Sequence, residues 1–147
     1  MKRLIFLILI LSLVLTGCWD MVEINQRLFV SSIGMDLNPK GDRNKYSVTY
    51  VYPNINAIGK NATEDKKVYV ANTSSSSLFQ AGRAASTKEE FPFYYKHLKV
   101  IIIGEELARD KKLVKQFLDE LNRDTKINKK IQILIARGKA QDILSSK

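Results

Sequence analysis

Between Tyr46 and Tyr52 the chain alternates: Tyr46, Val48, Tyr50 and Tyr52 fall on one side, Ser47, Thr49 and Val51 on the other. That period of two predicts a half-buried strand. Residues 28–35 are apolar and β-branched and predict a first strand. Residues 36–44, with Pro39 and Gly41, predict the reversal that joins the two as an antiparallel hairpin. The polar stretch 53–65 predicts a mobile loop, and residues 67–71 a short third strand.

The period then changes. Four serines at 74–77 predict the cap of a helix carrying Leu78, Phe79, Ala81, Ala84 and Ala85. Gly82 inside it costs about 1 kcal/mol relative to alanine, which predicts a close helix-on-sheet contact. Residues 98–103 are almost continuously apolar, the pattern of a strand covered on both faces. Gly104 ends that run, and residues 105–108 open a short helical turn. Leu113, Val114, Phe117, Leu118 and Leu121 recur at helical spacing and predict an amphipathic helix over 111–122. Residues 131–136 read as a further buried strand, and 139–144 start a last helix. The expected core contains Ile101, Ile103, Phe117, Leu121, Ile133 and Ile135. The expected fold is α+β, a single domain with a mixed sheet of about five strands and helices packed on it.

The N-terminus follows a different pattern. Met1-Lys2-Arg3 precedes an apolar run, residues 4–16, that closes on Leu15-Thr16-Gly17-Cys18. At about 1.5 Å per residue that run covers roughly 20 Å, short of the hydrocarbon core of about 30 Å. A basic start, an apolar stretch and small residues before the cut describe an export signal, and a cysteine at the cut makes it the lipoprotein form. Residues 1–17 are expected to be a signal peptide with Leu15, Thr16 and Gly17 as its lipobox. Cys18 is expected to carry a diacylglyceryl group and a further fatty acid such as palmitate. Two acyl chains anchor stably where one does not. Residues 18–27 then form a membrane-proximal segment, with Trp19 suited to the headgroup zone.

Composition narrows the chemistry further. Without Lys2 and Arg3 the remaining chain has 22 basic and 15 acidic residues, a net +7. Export and the scattered placement of the lysines argue against nucleic acid and for a solvated basic surface. Cys18 is the only cysteine and His97 the only histidine, so no metal cluster or thiol nucleophile can be assembled once Cys18 is lipidated. His97 is expected to make a structural hydrogen bond. Glu89-Glu90 and Glu105-Glu106 are adjacent in sequence and do not share a face. No phosphate loop or nucleophile elbow occurs. The expectation is a protein that is no enzyme and holds no cofactor or metal.

Gly17-Cys18-Trp19-Asp20, Glu23-Ile24-Asn25 and Ile33-Gly34-Met35-Asp36 resemble the opening of the Ger(x)C spore germination lipoproteins. His97-Leu98-Lys99 with its strand, Gly104-Glu105-Glu106, Arg123-Asp124 and Ala136-Arg137-Gly138-Lys139-Ala140 resemble the same family, in the same order. The resemblance implies that residues 28–147 are that family's N-terminal domain, and that this is a truncated or one-domain form of a longer protein. It also implies a non-enzymatic subunit of a germinant receptor, needed for nutrient-triggered germination. Such a subunit is lipid-anchored at the outer face of the spore inner membrane, with A-type and B-type receptor subunits as partners. Trp19, Asp20, Glu23, Asn25, Glu105 and Glu106 are the candidate partner contacts, each with a structural role as the alternative. A generic solute-binding or surface lipoprotein would share the lipobox but not the later blocks.

Overall fold

The computed structural model describes residues 3, 5, 26–40, 43–54, 57 and 67–146. All of the expected signal peptide but residues 3 and 5, its lipobox and most of the membrane-proximal segment therefore lie outside the described residues. So does nearly all of the expected loop at 53–65.

Eleven elements follow in order among the described residues. They are β1 (Leu28–Phe29), β2 (Ser32–Leu37), β3 (Tyr46–Pro53), β4 (Val68–Ser75), α1 (Leu78–Ser86) and β5 (Phe93–Tyr94), then β6 (Val100–Ile103), α2 (Glu105–Arg109), α3 (Lys111–Arg123), β7 (Gln132–Ile135) and α4 (Ala140–Ser145). Five strands form one mixed sheet in the order β4-β3-β2-β6-β7, and β1 pairs with β5 in a small parallel ladder. The α+β architecture matches the sequence pattern.

The hairpin forms as the alternation requires, with Ile33 opposite Tyr50 and Met35 opposite Val48. The reversal is closed by Asn38, whose main-chain N–H donates to the Lys45 carbonyl and whose side-chain amide donates to the Asn44 carbonyl at 2.7 Å. The first apolar run is divided, however. At Val30 the backbone turns to donate to the Tyr94 carbonyl, and Ser31 donates to the Val51 carbonyl. Residues 28–29 consequently serve the small ladder and 32–37 the main sheet.

Each face of the sheet has its own cover. On one face Ile33, Met35, Tyr46, Val48, Tyr50, Ile101 and Ile103 are buried with Leu78, Ala81, Phe117 and Leu121 from α1 and α3. On the other, α4 packs on β2 and β3, and Ala140 joins Ile102 and Ala136 in a smaller cluster. This second cover explains why Thr49 and Val51 are buried as well, so β3 is enclosed on both sides where alternation alone predicted one.

The third strand is longer than expected and takes in Ser74 and Ser75, which leaves Ser77 as the cap of α1: its side chain accepts from the Gln80 N–H at 3.2 Å. Gly82 marks the expected close approach, since a Cβ there would sit 2.5 Å from the Tyr95 hydroxyl. Ile101, Ile103, Phe117 and Leu121 are buried.

Ile133 and Ile135 are not: they are 41% and 70% exposed. The reason is position. β7 is a sheet edge, and the helices on both faces pack over β2, β3 and β4. An apolar run specifies a strand but does not say whether helices reach it.

Truncating Phe117, 1% exposed, to alanine is expected to cost about 3–5 kcal/mol in a chemical denaturation experiment. Ile135→Ala is expected to stay within about 0.5 kcal/mol of the parent. Equal costs would mean that β7 is covered.

The core also contains a set of tyrosines that resist ionisation. Burial pushes the Tyr46 hydroxyl up to about 12, helped by the Glu120 and Asp110 charges, while its proton is donated to the Leu113 carbonyl at 3.0 Å. Burial likewise raises Tyr50, Tyr52 and Tyr95; Tyr52 also donates to a Glu89 carboxylate oxygen at 2.8 Å. The folded state holds these protons more tightly than unfolded tyrosine, whose pKa is about 10. Their stabilisation is therefore complete below pH 10 and is lost as pH rises through the folded values. Absorbance titration should show Tyr46, Tyr50, Tyr52 and Tyr95 ionising only as the chain unfolds, with stability falling above about pH 10. Ionisation of all tyrosines near pH 10 with the fold intact would contradict this.

Candidate functional site

Three of the blocks singled out in the sequence, those at 33–36, 104–106 and 136–140, meet at one place, where the C-terminal ends of β2, β6 and β7 approach the start of α4. Asp36 lies two residues beyond Gly34 on β2 and therefore shares its face, the one that α4 covers. The first N–H groups of a helix have no partner inside it and carry partial positive charge. The position before α4 is Lys139, which supplies no side-chain cap. Asp36 supplies it instead. One carboxylate oxygen accepts from the Ala140 N–H at 2.8 Å and the other from the Gln141 N–H at 2.9 Å, across more than a hundred residues of chain. At 5% exposure the carboxylate is shielded from water.

The second block completes the junction. Gly104 donates its N–H to the Met35 carbonyl at 2.8 Å, and a Cβ at this position would collide with the Asp36 carboxylate. Glu105 donates its main-chain N–H to the Gly138 carbonyl at 2.8 Å and accepts the Gly138 N–H on its side chain at 3.1 Å. Its other carboxylate oxygen pairs with Arg109 at 2.7 Å. The Arg109 guanidinium, then the Gly138 N–H, hold the Glu105 carboxyl below the usual carboxylate range. Gly138 has φ +79°, a left-handed conformation that favours glycine and turns the chain from β7 into α4. Gly34 allows the helix down onto the sheet, because a Cβ there would lie 2.8 Å from Leu144 Cδ1.

Of the candidate partner contacts, Glu105 is thus tied into the fold. Glu106 is exposed and pairs with no cation among the described residues. Trp19, Asp20, Glu23 and Asn25 lie outside the described residues, as do Leu15, Thr16, Gly17 and Cys18. Among the described residues His97 has no partner for the expected structural hydrogen bond. It is exposed, with its ring edge-on to Phe29 at 5.3 Å. Among the described residues no three His, Cys, Asp or Glu side chains converge on a metal-sized site, and no helix is long and apolar enough to cross a membrane.

The turn formers at 36–44 predict Asp36 in the turn, whereas the structure keeps it on β2. The available signal was the alternation itself, which sets Asp36 on the face of Gly34, together with a last helix whose capping position is a lysine.

A separate cavity of about 390 Å³ opens between α1 and the segment carrying Phe93 and Tyr95, with Tyr50 and Gly82 in its wall. Among the described residues the buried Tyr50 hydroxyl has no hydrogen-bond partner of ordinary geometry; it lies beside the Tyr95 hydroxyl, which helps burial to raise its pKa. Arg27 and Lys96 stand over the face of Tyr94 at 4.9 and 6.0 Å, where the chain enters the domain.

The fold and junction define an α+β domain in which Asp36, Gly104, Glu105 and Gly138 join the sheet to its last helix. The chain belongs to the family described as spore germination protein N-terminal domain, which matches residues 20–147. Among its relatives in Bacillus subtilis (strain 168), spore germination protein B3 is 30% identical over 90% of this chain and 34% of its own length. Spore germination protein KC is 29% identical over 97% of this chain and 36% of its own length. Spore germination protein A3 is 23% identical over 99% of this chain and 38% of its own length. The chain therefore spans a little over a third of the length of these curated relatives. No solved structure matches it.

Asp36→Ala should remove both caps of α4 and cost roughly 2–4 kcal/mol, with Asp36→Asn between it and the parent. Amide exchange should quicken first at Ala140 and Gln141. Unchanged exchange there would mean that α4 is held by its apolar contacts alone.

Proposed function

We propose that this chain is a lipid-anchored, non-enzymatic subunit of a spore germinant receptor that acts through contacts with membrane-embedded A-type and B-type subunits. The observation that carries the reading is the family match over 20–147, which starts two residues after Cys18 in Leu15-Thr16-Gly17-Cys18. The family description ties the domain to spore germination. The lipobox ties the chain to the outer face of a membrane, here the spore inner membrane. The junction supports a non-enzymatic role in its own way. Asp36 and Glu105 at the junction spend their oxygens on main-chain N–H groups and Arg109.

Anchoring gives this reading its energetics. Tethering confines the domain beside its partners at an effective concentration that reaches the millimolar range, so modest contacts suffice. A basic domain of net +7 also gains attraction to anionic headgroups within a Debye length of about 8 Å.

Two measurements test it. Labelled fatty acid should enter the parent protein and fail to enter Cys18→Ala, which should leave the membrane fraction. Tagged protein drawn from spore inner membrane in mild detergent should bring A-type and B-type subunits with it. An unlabelled parent, or abundant protein with neither subunit bound, would refute the reading.

A further inference from the structure

We propose that the free edge of β7 is a docking site for one added β-strand, contributed by a polypeptide segment that is apolar in its centre and acidic at both ends. This goes beyond the receptor reading and does not depend on it.

The backbone comes first. β7 pairs with β6 in parallel, and the N–H groups of Gln132 and Ala136 donate to the Lys99 and Ile103 carbonyls. In a parallel ladder both main-chain groups of a residue point to the same side, and successive residues alternate. Gln132, Leu134 and Ala136 therefore face β6, and the N–H and C=O groups of Ile133 and Ile135 face outward. No strand takes them up among the described residues.

The side chains come second. Ile133, Leu134 and Ile135 are 41, 50 and 70% exposed. By register Ile133 and Ile135 continue the face of Ile101 and Ile103, and Leu134 that of Ile102, so a further strand would extend both cores at once. A bare apolar edge is an aggregation hazard that proteins blunt or cover.

Charge selects the occupant. The uncharged strand lies between Lys129 and Lys130 at one end and Arg137 and Lys139 at the other, with no carboxylate between Asp124 and Asp142. Lys129 is committed to the end of α3, donating to the carbonyls of Leu121, Asn122 and Asp124. Lys130, Arg137 and Lys139 are exposed and form no ion pair among the described residues. Across the Gly138 turn, Glu105 is already held by Arg109 and Gly138, and Asp36 by the first N–H groups of α4. A second copy added antiparallel would set Lys129 and Lys130 against Arg137 and Lys139. Added parallel, it would set each cation beside its own twin. Like charges directly opposite are destabilising, so the edge rejects itself and favours an acidic-ended strand. Such added strands draw affinity from the main chain and specificity from side chains.

The test uses the full chain in detergent micelles and three synthetic peptides sharing the centre Val-Thr-Ile-Thr-Val. One is flanked by Asp-Glu pairs, one by Lys pairs, and the third is the acidic peptide with prolines at alternate centre positions. The acidic peptide should bind, slow amide exchange at Ile133 and Ile135, and weaken in high salt. The lysine-ended peptide should bind at least about tenfold more weakly, and the proline peptide not at all. Ile133→Pro, which removes an outward N–H and spares the β6 ladder, should abolish binding. Because that variant could disturb β7, Lys130→Glu with Arg137→Glu supplies a second readout: the preference should invert toward the lysine-ended peptide. Equal binding of both charged peptides, protection elsewhere, or no binding would overturn the proposal. So would a dimer lost on Ile135→Lys, which would assign the edge to a second copy.

Discussion

The Asp36 carboxylate holds the last helix to the sheet, and the second face of the domain depends on that attachment. A six-residue helix is far below the length at which helices persist alone in water. α4 is fixed by two charge-assisted hydrogen bonds at its first turn and by the packing of Ala140 and Leu144 over Gly34 and Ile102. If the helix were released, the β3 face that carries Thr49 and Val51 would be opened to water.

Several requirements meet at that carboxylate. Gly104 leaves it room, Gly138 turns the chain toward it, and Glu105 fastens the turn from the other side. Each is a small or acidic residue within a motif that would otherwise invite a chemical reading. Geometry gives the physical one. Short motifs far apart in sequence sit where three strand ends and one helix start must coincide within an ångström or so.

Legibility followed the range of the forces involved. Tyr46 to Tyr52 announced a strand because alternation is local, and Phe117 and Leu121 announced a buried helix face for the same reason. Gly82 could be read as a close contact since glycine has few other reasons to sit in a helix. The placement of Ile133 and Ile135 could not be read, because exposure depends on how far α1, α3 and α4 extend across the sheet. The face of Asp36 is legible in the alternation but its role as a cap is not: an aspartate before Pro39 and Gly41 looks like a turn residue until a helix arrives from the other end of the chain. The lipobox lies beyond the described residues and stands on its sequence alone.

Asp36 and Gly104 form one structural unit, and a double-mutant cycle tests that coupling most directly. Gly104→Ala drives a methyl group into the Asp36 carboxylate, so it should be strongly destabilising in the parent background. In an Asp36→Ala background the obstacle is gone, and most of that cost should vanish. A coupling energy of about 1–3 kcal/mol, measured by denaturant unfolding of the four proteins, is the expected result. Costs that simply add would contradict it.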